Sequence, residues 1–135
     1  MRRIVFAVVF LSLAVPTLTS AQGVLVISQN KCQLDKQSAI RAFADSATIP
    51  IAQELVNEGK LWAAGTAYHA WGDEWNVVNW YNAETMSGFL EAFSELISRI
   101  NARYPTAIAD WQSWCFEHKD SMYSHGRMTT APPGM

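Results

Sequence analysis

The chain has 135 residues, half of them hydrophobic, with a formal net charge of −2. That is room for one domain with a real core. The near-neutral balance, without a basic cluster after the N-terminus, excludes the electrostatic footprint of a nucleic-acid binder.

Residues 1–21 read as a secretory signal peptide. Arg2 and Arg3 form a charged n-region, "IVFAVVFLSLAV" is the apolar h-region, and Thr19 and Ala21 occupy the small-residue positions of a cleavage site. An uncleaved N-terminal anchor is the other reading, but the apolar run is short for a membrane span. Nothing later is apolar enough to cross a bilayer, so the mature chain is expected to be secreted or periplasmic with no membrane contact.

Residues 22–123 form the predicted domain. "VLVISQNKC", Val24–Cys32, opens with four apolar residues and no polar face, the pattern of a central strand. Asp35 or Ser38 can cap a helix that carries Ile40, Phe43, Ala44 and Ala47 at helical spacing. Pro50 has no amide hydrogen, so it ends or kinks that helix. Thr48 can cap the continuation through Ile51 and Leu55, and Gly59 stops it.

"KLWAAGTAYHAW" predicts a second strand, with Trp62, Ala64, Thr66 and Tyr68 on one face. The small residues Ala63, Gly65 and Ala67 lie on the other, where they are expected to let a helix pack closely. "GDE" at 72–74 is a turn signal, and "WNVVNWYN" alternates as the returning strand of a hairpin. The clearest helix follows. Asn82 is its expected cap, and Met86, Phe89, Leu90, Phe93, Leu96, Ile97, Ile100 and Tyr104 form one stripe. Glu95 and Arg99 form an i, i+4 pair on the wet side. Pro105 closes the helix. A short helix with Ile108 and Trp111 inward precedes a last strand, "CFEHK", Cys115–Lys119. Residues 124–135 read as a disordered tail.

The predicted class is therefore α+β, a ferredoxin-like βαββαβ chain with a four-stranded antiparallel sheet in the order 4-1-3-2. In that order the end of the first strand lies beside the start of the fourth. Cys32 and Cys115 occupy those two places, so in an oxidising compartment they are expected to form a disulfide, with two free buried thiols as the alternative.

The βαββαβ order, the kinked first helix, the "YHAWGDEWN" hairpin and the closing "EHKDSMY" resemble the dimeric α/β-barrel proteins. These include antibiotic-biosynthesis monooxygenase-like, EthD-like and stress-responsive families. The resemblance implies a homodimer in which the open faces of two sheets meet. The residues support the same expectation, since helices on one face leave the other bare. No residue set matches the Asn-Trp-His arrangement of the haem-degrading members, so that activity is not carried over.

Chemistry concentrates in the hairpin. His69 is the candidate catalytic acid or base, or else a structural histidine bonded to backbone. Tyr68, Asn79, Trp80, Tyr81 and His118 are the candidate ligand-binding residues, suited to an apolar or aromatic molecule. His69 and His118 would sit on opposite edges of the sheet and converge only across a dimer interface. No metal motif, phosphate loop, dinucleotide fingerprint or nucleophile elbow is present, so no metal and no cofactor is expected. A cofactor-independent oxygenase or isomerase and a non-catalytic binding or structural module both fit.

Overall fold

The computed structural model describes residues 23–69 and 74–124. The signal-peptide reading of 1–21, the centre of the hairpin turn and the tail from 125 onward fall outside them. Strand β1 (Val24–Cys32) leads through a single 3-10 turn into α1 (Gln37–Phe43) and α2 (Ile49–Asn57). The hairpin β2 (Ala63–Tyr68) and β3 (Val77–Ala83) follows, then α3 (Met86–Arg103), α4 (Ala107–Trp114) and β4 (Cys115–Ser124). The antiparallel sheet has the order β2-β3-β1-β4. This is the ferredoxin-like α+β arrangement expected from the sequence.

Register sorts the residues into two faces, because residues directly opposite one another point the same way. One face carries Val24, Val26, Ser28 and Asn30 of β1, opposed by Ala83, Tyr81, Asn79 and Val77 of β3. Helices cover this face. Val26, Tyr81 and Ala83 pack into one core with Leu55 of α2 and Phe89, Leu96 and Ile100 of α3. The other face carries Leu25, Ile27, Val78 and Trp80, all only partly buried.

Ala63, Gly65 and Ala67 lie on this second face, away from the helices, contrary to the sequence expectation. Gly65 stands opposite Trp80, whose indole lies across it. A Cβ at Gly65 would meet a Trp80 ring carbon at 2.4 Å. The small residue makes room for an aromatic ring, not for a helix.

Pro50 neither ends nor breaks the first helical segment. The chain widens into a π-helical stretch, Ala44–Thr48, and resumes as α2 with Pro50 in its first turn. Proline is accommodated there because the turn before it is already widened: the Ile49 amide reaches back five residues, to the Ala44 carbonyl. The cap of α3 also differs from expectation. Asn82 belongs to β3, and Thr85 caps the helix, its Oγ1 accepting from the Gly88 amide at 3.0 Å. Ser124 is the last residue of β4, opposite Val24, rather than the first residue of a tail.

The Cys32–Cys115 disulfide is formed, between residues 83 apart in sequence. It depends on a bulge. Lys31 pairs with Glu117, but Cys32 pairs with Cys115, so Phe116 is an extra residue in β4. Without that extra residue Cys115 would point to the opposite face. Asn76 secures the other side of Cys32: its Oδ1 accepts from the Cys32 amide at 2.9 Å, and its Nδ2 donates to the Cys32 carbonyl at 2.7 Å. This side-chain amide extends the sheet ladder one step beyond the start of β3.

Candidate functional site: a cavity under the helices

A cavity of about 620 Å³ lies between the helix-covered face of β1 and β4 and the inner sides of α3 and α4. It exists because the stripe of α3 is wider than its sheet contact. Phe89, Leu96 and Ile100 are buried against the sheet, whereas Leu90 is 53% and Phe93 37% exposed. These and Ile97 overhang β4 and leave a gap above it.

The wall is aromatic. Phe93 lies 5.7 Å from Tyr81 edge-on and 5.6 Å from Phe89 stacked, measured between ring centroids. Phe43 packs on Trp111 at 6.2 Å. All five rings line the cavity. The floor is polar, and the strand register explains why. Thr66, Asn79, Ser28 and Asp120 form one row across the four strands. Thr66 Oγ1 donates to Asn79 Oδ1 at 2.9 Å, which leaves the Asn79 NH₂ as its remaining polar group. Asn30, in the next row, is 4% exposed and opposite His118. Its Nδ2 donates to the Ser28 carbonyl at 3.1 Å, so its Oδ1 remains an acceptor.

Three of the expected site residues, Asn79, Tyr81 and His118, line this cavity. Tyr81 is nearly fully buried. Burial first, and then the negative charge of Asp120, push its hydroxyl up to about 12. His118 is at the rim, its Nε2 3.7 Å from an Asp120 oxygen.

The other three lie elsewhere. Tyr68 packs against Cys32, Ile40 and Val77 at the disulfide end of the sheet. The Arg41 guanidinium stacks 4.0 Å above its ring centroid, a cation–π contact. Burial, with the charge of Asp45 behind it, pushes the Tyr68 hydroxyl up, and Arg41 opposes them. Trp80 is on the uncovered face, over Gly65. His69 is exposed just beyond β2, on the edge of the sheet opposite β4, where its amide donates to the Asn76 carbonyl at 3.0 Å. Among the described residues no group of three or more His, Cys, Asp or Glu is placed to hold a metal ion, and no helix is long and apolar enough to cross a membrane.

Ser28, Asn30, Asp120 and Trp111 are cavity residues that the sequence reading did not assign to a site. A signal for Asp120 was present. In "EHKDSMY" His118, Asp120 and Met122 alternate, the period of a strand face.

No family model matches the chain, and no curated protein matches it in sequence. Solved structures do match. A NIPSNAP family protein of unknown function from Agrobacterium tumefaciens superposes with a TM-score of 0.65 at 12% identity, over 86% of this chain and 96% of that one. A dimeric ferredoxin-like protein from an uncultured marine organism gives 0.63 at 7% identity, over 82% and 92%. A Nitrosomonas europaea protein named for the antibiotic biosynthesis monooxygenases gives 0.58 at 15% identity, over 77% and 90%. The fold is the ferredoxin-like one that these structures share. At these identities the likeness is one of architecture, and the chemistry must be argued from the cavity itself.

Proposed function

We propose that this chain binds a small apolar or aromatic molecule carrying one polar end, in the cavity between α3, α4 and β4. The observation that carries the reading is the cavity's construction. Its volume, about 620 Å³, is in the range of small-molecule sites. Aromatic rings supply the contact area, and Ser28, Asn30, Asn79 and Asp120 supply a few fixed polar groups on one side. The monooxygenase-named relative supports a cofactor-independent oxygenation as the chemical extension of the same site.

The mature chain is further proposed to act as an exported homodimer. Leu25, Ile27, Val78 and Trp80 on the uncovered sheet face supply an apolar surface for a second copy, and one of the structural relatives is described as dimeric.

Calorimetric titration with naphthylethanol tests the binding. Saturable binding is expected, and Phe93→Gln at the half-open rim should weaken it about tenfold, from lost aromatic contact. Equal binding by both proteins would place the probe elsewhere and end the reading. For the dimer, light scattering of the mature chain should give twice the monomer mass, and Trp80→Lys should give the monomer. A monomeric wild type would remove the assembly but not the cavity.

A further inference from the structure

The charged groups around the cavity point to the sign of its ligand. Among the described residues lining it there is no lysine and no arginine. Its two carboxylates are Glu117 and Asp120. By the alternation of β4, Glu117 belongs to the uncovered face, and it lies 3.8 Å from the Lys31 ammonium. Asp120 faces inward, opposite Ser28 in the row that contains Asn79. The basic group recorded beside it is His118, whose Nε2 is 3.7 Å away.

The aromatic wall and two of the floor groups favour the same sign. The faces of aromatic rings are negative and attract cations, most strongly where water is excluded. On the floor, Asn30 presents an acceptor oxygen and Ser28 a hydroxyl that can accept. The field of Asp120 also reaches the interior, because its charge adds to burial in holding the Tyr81 hydroxyl protonated. An anion placed here would meet Asp120 and the ring faces together. A neutral molecule would gain nothing from the carboxylate's charge, which would stay with water and His118.

We propose that the ligand is an organic cation, a protonated amine on an aromatic or other apolar body. Its ammonium lies at Asp120, Ser28 and Asn30, and its body lies among Phe93, Tyr81 and Trp111. The proposal rests on the cavity reading above and adds the ligand's charge. An ammonium group brings three donors, which matches the three acceptors of Asp120, Ser28 and Asn30, while the Asn79 NH₂ stands one residue across the row as the floor's own donor. The assignment also gives Asp120 a role that burial does not explain. Its side chain is 60% exposed and makes no contact that the fold requires.

A matched series separates charge from shape: naphthylethylamine, naphthylethanol and naphthylacetate, titrated calorimetrically into the mature protein. The amine should bind about tenfold tighter than the alcohol, the order expected for a partly desolvated carboxylate with cation–π contacts. The acetate should bind most weakly. In Asp120→Asn the ratio of amine to alcohol affinity should collapse toward one, while circular dichroism reports the native fold. Alcohol binding as tight as amine, or an amine preference that survives Asp120→Asn, overturns the inference and leaves the cavity reading intact. If none of the three binds, the cavity reading itself fails.

Discussion

The hydroxyl of Tyr104, just past the end of α3, donates a 2.8 Å hydrogen bond to the carbonyl of Ser46 in the π-helical stretch. In an α-helix that carbonyl would accept from the amide of residue 50, and residue 50 is a proline without one. The two features belong together: the widened turn accommodates Pro50, and Tyr104 supplies a donor in its place. The bond is exposed, so Tyr104→Phe should cost only about 0.5–1 kcal/mol, read as a small fall in melting temperature. In a Pro50→Ala background the new amide can take over, and the same substitution should cost less. Equal costs in the two backgrounds would separate Tyr104 from the proline.

Asn76 is the most exacting polar residue outside the cavity. It is 6% exposed and holds both backbone groups of Cys32. Asn76→Ala leaves a buried amide and a buried carbonyl without partners, a loss of about 2–3 kcal/mol expected in urea unfolding at unchanged slope. Asn76→Asp keeps the acceptor but turns the donor into a second oxygen facing the Cys32 carbonyl, so it should cost at least as much at neutral pH. An alanine variant as stable as the parent would mean that water satisfies Cys32 equally well.

The sheet order, both hairpin strands, the long helix and the cysteine pair were legible because each leaves a periodic or positional mark. Val24–Ile27 reads as a central strand, which it is, although helices cover only the Val24 and Val26 side, and the α3 stripe reads as one helix face. Three things left no such mark. The last strand continues past Lys119 through residues that are mostly exposed on an edge, so "DSMYS" carries little hydrophobic periodicity. The π-helical stretch keeps the same residues that a plain kink would use. The cavity is invisible because an apolar stripe records which residues avoid water, not whether they touch. Phe93 and Ile97 read as core in the sequence and overhang a gap in the fold.

The outer faces of α2 and α3 are joined by a charge network that sets an acid dependence. Arg99 binds Glu58 through two bonds of 2.8 Å and also reaches Glu54 and Glu95, while Arg103 grips Glu54 and Lys60 joins Glu58 to Glu95. Arg99 first, then Lys60, hold the Glu58 carboxyl down at about 2, from an ordinary value of 4.5. Glu54 and Glu95 are lowered by the same cations. A carboxylate with a depressed folded pKa stabilises above its unfolded value, and that contribution disappears as pH falls through the folded one. Stability should therefore decline between pH 4.5 and about 2. Arg99→Met should flatten that decline, as should high salt, since these groups are exposed. A slope indifferent to both would assign the acid loss to other carboxylates.

The disulfide closes most of the domain into one loop and ties β4 to the sheet at the end nearest α4. In the chain-entropy picture, removing it with Cys32→Ala and Cys115→Ala should cost about 4 kcal/mol. A free-thiol assay on the unfolded protein should find none. Two reactive thiols would show that the bond does not form in the isolated chain.

Tyr81 reports the cavity's interior without any ligand. Its hydroxyl is pushed from the ordinary 10.0 to about 12, first by burial and then by Asp120. An ultraviolet titration of phenolate should show one tyrosine ionising near that value, absent in Tyr81→Phe. The sign follows from the raised folded pKa: the protonated phenol's contribution is complete below 10.0 and is lost as pH rises through about 12. Unfolding should therefore ease in that window, and less so in Tyr81→Phe. Asp120→Asn should move the late ionisation downward, because a repelling charge has gone while burial remains. An ionisation that ignores Asp120→Asn would mean that burial alone holds the proton, and that the carboxylate's field does not enter the cavity.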